Sequence, residues 1–220
     1  MSWLRSLFPM LALGAGRVRR AIARTPRQEI AQLREGHWQK VHGSVLTLGG
    51  MVGASLIESR PCLCSRTIVD VAFYGDAAWL HLIDHFQSVP FRLRDETGVI
   101  RVDSNHLRLI GPVDADSFDS PDSHDHESLE RILAESHFGF RGWENPSIFL
   151  DGDGHRRGLR VRETLVAEGD QVELCGIARR EAAIEASRES YDYRSTPTEL
   201  VFRGSRRRPV LVARQAAPAP

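Results

Sequence analysis

The sequence predicts an all-β protein, a mainly antiparallel barrel or sandwich made of one or two related β modules, with one amphipathic helix. Three observations carry this. About ten short segments are β-branched, aromatic or alternating and are bounded by Gly, Pro and Asp. Two blocks 133 residues apart repeat each other: Glu35-Gly36 followed by Gly43, and Glu168-Gly169 followed by Gly176. Only one segment shows a clean helical period. In the repeat, a Gly after an acidic residue suits a turn that needs positive φ. The second Gly, inside a short strand, suits a bulge or a close backbone approach.

Taken in order, residues 17–35 have helical character interrupted by Pro26. Residues 38–48 read as a strand, and Gly49, Gly50 and Gly53 as a flexible connection. A long strand is expected over 62–74, a hairpin turn at Gly75-Asp76, and a returning strand over 79–86. Further strands follow at 89–93, 99–102 and 107–110, the first two joined by the turn Asp95 to Gly98. The acidic stretch 114–125 reads as a loop. Residues 126–137 read as the helix, because Leu129, Ile132, Leu133 and Ser136 share a face and Asp125 stands where a cap belongs. After a Gly-rich loop over 139–158, strands are expected at 159–167, 171–179, 198–202 and 209–213. The expected core is Val41, Cys62, Cys64, Ile68, Phe91, Leu93, Ile100, Val102, Val172, Leu174 and Val212. This divides the chain into an apolar and basic segment 1–29, a β domain 30–213 with a helical insert at about 114–158, and a disordered tail 214–220.

Formal net charge is zero, and aromatic residues are 7% of the chain. No global field therefore draws the protein to nucleic acid, and nucleic-acid partners are not expected. The charge is uneven, however. Residues 1–28 hold six arginines and no acid, and residues 114–127 hold six acids and no Lys or Arg. The apolar run ahead of those arginines is shorter than the roughly 20 residues that span a bilayer. An export signal would place the basic residues first, so secretion is the weaker reading. Apolar then basic fits a segment lying on a membrane surface, and a disordered leader is the alternative. The expected location is cytoplasmic or peripheral to a membrane. Three cysteines, an odd number without a regular spacing, argue against a disulfide framework.

Catalytic constellations are weak. His81 and His85 stand four apart, but in a strand they would be about 13 Å apart at roughly 3.3 Å per residue, too far for one metal. His124 and His126 lie in the acidic stretch with Asp122 and Asp125, where metal capture competes with a solvated loop. Asp151 to Gly154 resembles the start of a calcium loop, but His155 and Arg162 stand where that loop needs acids. No nucleophile elbow, Walker loop or dinucleotide fingerprint is present. No catalytic residue, cofactor or metal site is assigned.

The order of several short blocks resembles a known family. These are Val41-His42-Gly43, then Arg60-Pro61-Cys62, then Val89-Pro90-Phe91-x-Leu93-x-Asp95-x-x-Gly98-x-Ile100-x-Val102. Last comes Arg162-Glu163-x-x-Val166-x-x-Gly169-x-x-Val172-x-x-Cys175-Gly176. Together they resemble the GIDE domain, also called the beside-a-membrane domain, the central region of mitochondrial outer-membrane E3 ligases. The likeness covers roughly residues 30–213 and marks Gly36, Gly43, Phe91, Asp95, Gly98, Glu163, Gly169 and Gly176 as structural positions. Those ligases carry a RING, which needs about eight Cys or His ligands. This chain has no Cys after Cys175 and no His after His155. The resemblance therefore implies the domain without ubiquitin transfer: a non-enzymatic binding or interaction module that takes a protein partner or a membrane surface. The rivals are an enzyme with an unrecognised hydrolase or metal site, and an oligonucleotide-binding barrel.

Overall fold

The structure, a computed structural model, describes residues 15–56, 59–73, 80–119, 156–183 and 198–214. It is all-β, with one α-helix among these residues, α1 (Ala15–Arg24), and one 3₁₀ turn at Ile30–Gln32. The expected helix at 126–137 and the turn at Gly75-Asp76 lie outside the described residues. α1 falls in the segment whose helical character was read as interrupted at Pro26, and it ends two residues before that proline.

Five strands close a barrel. They are β1 (Trp38–Thr47), β6 (Phe91–Arg94), β7 (Val99–Val102), β12 (Thr198–Phe202) and β11 (Gln171–Ala182), each bonded to the next, with β11 bonded back to β1. Four of the five pairings are antiparallel, and β12 runs parallel to β7. Closure leaves these strands fewer open edges to protect. β13 (Val210–Arg214) pairs with the first part of β11, and β8 (Leu107–Ile110) extends the sheet beyond β13.

A second sheet stands beside the barrel in the order β5 (Leu80–Ser88), β4 (Cys64–Phe73), β10 (Arg156–Val166), β9 (Ala115–Asp119). A short pair, β2 (Gly53–Ala54) with β3 (Pro61–Cys62), links β1 to it. β9 corrects the sequence reading, which made 114–125 a loop. It pairs with β10 from Leu159↔Asp119 to Glu163↔Ala115, and Arg160 on β10 binds Asp116 through a guanidinium fork. An acidic segment becomes a strand here because its neighbour supplies the opposite charge.

The barrel interior is filled. Val41, Val45, Phe91, Leu93, Ile100, Val102, Val172, Leu174, Phe202, Val210 and Val212 all have zero exposure. Every expected core residue is buried except Ile68, which is half-buried. Ile68 stands opposite Asp84 and Arg162 in the second sheet, on the face that carries the Arg66–Asp84 and Arg162–Asp70 ion pairs.

α1 covers the outside of the extended barrel sheet. Ile22 is buried in a cluster with Ile110, Cys175 and Leu211, and Val18, Ala21 and Ala213 pack around it. Arg19, Arg20 and Arg24 are exposed. Trp38 Nε1 donates to Thr25 Oγ1 at 3.2 Å, and that hydroxyl donates to Ala21 O, which ties the end of α1 to the start of β1.

Candidate functional site

Of the residues singled out by sequence pattern, Asp95, Gly98, Phe91, Glu163 and the four repeat glycines have definite contacts or backbone conformations in the fold. Asp95 opens the β6–β7 turn. Its Oδ1 accepts the N–H groups of Thr97 and Gly98 and the Thr97 hydroxyl, and its Oδ2 accepts the Ile30 N–H at 2.8 Å. Partial burial pushes this carboxyl up. The N–H groups of Ile30, Thr97 and Gly98 and the Thr97 hydroxyl outweigh that effect and hold it below the usual carboxylate range. A side chain at Gly98 would press on Ile30 Cγ2 at 3.2 Å, so Gly at this place lets the 3₁₀ turn sit against the barrel. Phe91 is the first residue of β6 and fills the core beneath that turn.

Glu163 lies on β10 with no exposure. Its Oε1 accepts the Leu56 N–H at 2.9 Å and the Thr67 hydroxyl at 3.0 Å, and its carbonyl accepts the Asp114 N–H. It fastens the β2–β3 connection and the start of β9 to the second sheet. A buried carboxylate satisfied by an amide and a hydroxyl is a structural anchor.

The repeated glycines act in pairs. Gly36 and Gly169 have φ of +79° and +89°, the left-handed region that favours glycine. A Cβ at Gly43 would lie 2.3 Å from Arg94 O, and one at Gly176 would lie 3.0 Å from the Phe202 ring. Both second glycines thus allow close approach to the neighbouring barrel strand.

The histidine candidates are not brought together. His85 sits opposite Thr67 and His81 opposite Asp70, with a register shift between Val69 and Asp70. His124 and His126 lie outside the described residues. Among the described residues, no group of three or more His, Cys, Asp or Glu is arranged to hold a metal ion.

The three thiols are buried and free. Burial, with the Glu163 charge adding to it, pushes Cys62 up to about 11, and burial pushes Cys175 up to about 11. Cys64 is raised further for the same reason. Thiols held this way are poor nucleophiles. Several of the described acids are paired with arginines. Arg66 grips Asp84 with two bonds of 2.6 and 2.7 Å, and Arg162 binds Asp70. Arg203 joins Asp103 at 2.7 Å and Glu181 at 3.1 Å. Arg101 Nε lies 2.8 Å from Glu199, off the N–H axis, so this is an ion contact and not an aligned hydrogen bond.

Two features remain that no motif marks. One is the exposed arginine side of α1. The other is a cleft of about 570 Å³ beside the Glu35-Gly36 turn, walled by Trp38, Arg34, His37 and Gln28. The sequence signal that could have found the cleft is a difference between the two repeat copies: Arg34, His37 and Trp38 stand where the second copy has Ala167, Asp170 and Gln171.

Comparison with known protein families found no matching family model, and comparison with curated proteins and with solved structures found no match.

Proposed function

We propose that this chain is a non-enzymatic, GIDE-like binding module whose barrel is held at an anionic membrane surface through its N-terminal segment. The observation that carries the reading is the two-sidedness of α1. Its apolar residues Val18, Ala21 and Ile22 pack onto the barrel, while Arg19, Arg20 and Arg24 face outward. The apolar residues Trp3, Leu4, Leu7, Phe8 and Leu11 directly precede this helix in the chain. Each arginine close to an anionic surface contributes about 1 kcal/mol. No described helix is long and apolar enough to cross a membrane, so α1 would act by lying on the surface. Support for binding over catalysis comes from the ionisable groups: Asp95 and Glu163 hold turns and connections, and the thiols are buried and raised.

The strand order supplies a second reading. Counted along the chain, the five barrel strands run 1-2-3-5-4 and back to 1, a Greek-key closure of the OB type, a fold that binds oligonucleotides or saccharides on its second and third strands. Here those strands are β6 and β7. Their outward residues are Arg92, Arg94, Val99 and Arg101, with no aromatic platform for bases to stack on. The surface reading therefore stands ahead of it.

Vesicle co-sedimentation of the full chain tests the proposal. Full-length protein should pellet with phosphatidylserine-containing vesicles at low salt and not with phosphatidylcholine alone. Replacing Arg19, Arg20 and Arg24 together by Gln should weaken this by well over tenfold, at about 1 kcal/mol each. Charge variants serve better than removal of residues before Gln28, because that truncation would uncover Ile110 and Leu211. Full-length protein left in the supernatant with anionic vesicles at low salt would overturn the reading.

A further inference from the structure

The cleft beside Trp38 is independent of any membrane attachment. Its frame is rigid. Gln39, almost wholly buried, clips the turn from inside: its Oε1 accepts the Arg34 N–H at 2.8 Å, and its Nε2 donates to Arg34 O at 2.6 Å. Gly36 N donates to Ala178 O at 2.9 Å, and Glu35 Oε1 accepts the Arg180 N–H, so β11 fixes the outer side. The Trp38 indole is held by its bond to Thr25 and remains 36% exposed. A cleft pre-shaped in this way loses little entropy when a ligand enters.

The polar groups facing this space are unused. The Arg34 guanidinium has no acid or acceptor partner among the described residues, because its only bonds run through its backbone. His37 uses Nδ1 on Glu35 O, which leaves Nε2 open.

The second repeat copy shows that the turn does not require these side chains. Glu168-Gly169 makes the same turn with Ala167, Asp170 and Gln171 in place of Arg34, His37 and Trp38. There, Asp170 Oδ2 accepts the Ala167 N–H and satisfies the donor that Gln39 satisfies in the first copy. An exposed indole and an unpaired guanidinium are therefore additions that the turn's own geometry does not explain.

We propose that this cleft binds a small hydroxylated ring compound carrying one anionic group. The ring's apolar face lies on the Trp38 indole. Its anionic group pairs with Arg34, and a hydroxyl reaches His37 Nε2. Hexuronates and nucleoside monophosphates share this chemistry, and the experiment separates them.

Titration calorimetry and saturation-transfer NMR on the full chain in lipid-free buffer would use glucuronate and adenosine monophosphate as probes, with glucose and adenosine as their uncharged counterparts. One anionic probe should bind at least about tenfold more tightly than its counterpart, as expected for a charge-assisted contact. Arg34→Gln, at an exposed position, should remove that preference without moving the thermal midpoint. Trp38→Leu should abolish transfer to the ring protons. Absence of binding by both anionic probes, equal binding of charged and uncharged forms, or an Arg34→Gln variant that keeps the preference would each overturn the proposal. The vesicle result has no bearing on these outcomes.

Discussion

Glu35 and Glu168 make the same hydrogen bond at opposite ends of one ladder. Glu35 Oε1 accepts the Arg180 N–H at 3.1 Å, and Glu168 Oε1 accepts the Thr47 N–H at 3.1 Å. Thr47 and Arg180 are themselves 133 residues apart, as the two glutamates are. The following glycines repeat the relationship: Gly36 N donates to Ala178 O at 2.9 Å, and Gly169 N to Val45 O at 2.8 Å. Between them β1 and β11 pair antiparallel from Trp38↔Ile177 to Ser44↔Gln171. The two copies are thus related by a local two-fold axis through that ladder, and their pairing closes the barrel.

Gly36→Ala and Gly169→Ala should therefore cost similar amounts. Both positions have positive φ with open space around them, so the penalty is conformational and not a clash. Each should lose about 1–2 kcal/mol, the cost of left-handed backbone for a residue with a Cβ. Because the two turns share no partner, the double variant should lose close to the sum. Urea denaturation measures all three. A neutral substitution at one site alone would break the equivalence.

Thiol labelling reports on burial. With Cys62 and Cys175 both near 11, about one thiol in a thousand at either position is ionised at pH 8. Native protein should react slowly with a thiol reagent, and the rate should rise with denaturant in step with unfolding. Rapid labelling of any of the three cysteines in native buffer would contradict the placement.

Acid should destabilise the protein through Asp95, Asp103 and Asp116. Partial burial raises Asp103, but the Asn105 N–H and the Arg203 guanidinium bring it below its ordinary value, and the hydrogen bond from Arg160 lowers Asp116. The unfolded carboxylates titrate near about 3.9. A group depressed in the folded state binds fewer protons there than in the unfolded chain, so stability rises with pH across that interval. The stabilisation is complete above about pH 5 and is lost as pH falls through the folded values. Denaturation midpoints between neutral pH and about pH 3 should fall, and Asp95→Asn should flatten part of that fall. An unchanged slope in Asp95→Asn would remove Asp95 from this account.

The strands of the barrel were legible because Val41, Leu93 and Val172 alternate with polar neighbours, and the period of two forces one face inward. The Glu-Gly turns were legible from glycine's backbone freedom. β9 was not, because Asp116 reads as solvated until Arg160, far along the chain, stands beside it. The register shift between Val69 and Asp70 arises from the pairing of β5 with β4, which neither segment encodes alone. The burial of Ile22 depends on Ile110 and Leu211, and the cleft at Trp38 on a turn closed by β11. Each of these is a non-local contact, and local periodicity carries no record of it.

The closed ladder is tested most directly by through-hydrogen-bond couplings in isotope-labelled protein, measured from the amide nitrogens of Gly36 and Gly169 to the carbonyl carbons of Ala178 and Val45. The account predicts both couplings, together with slow exchange of the Thr47 and Arg180 amides held by Glu168 and Glu35. One coupling without the other, or fast exchange at both amides, would contradict the two-fold relationship and the barrel it closes.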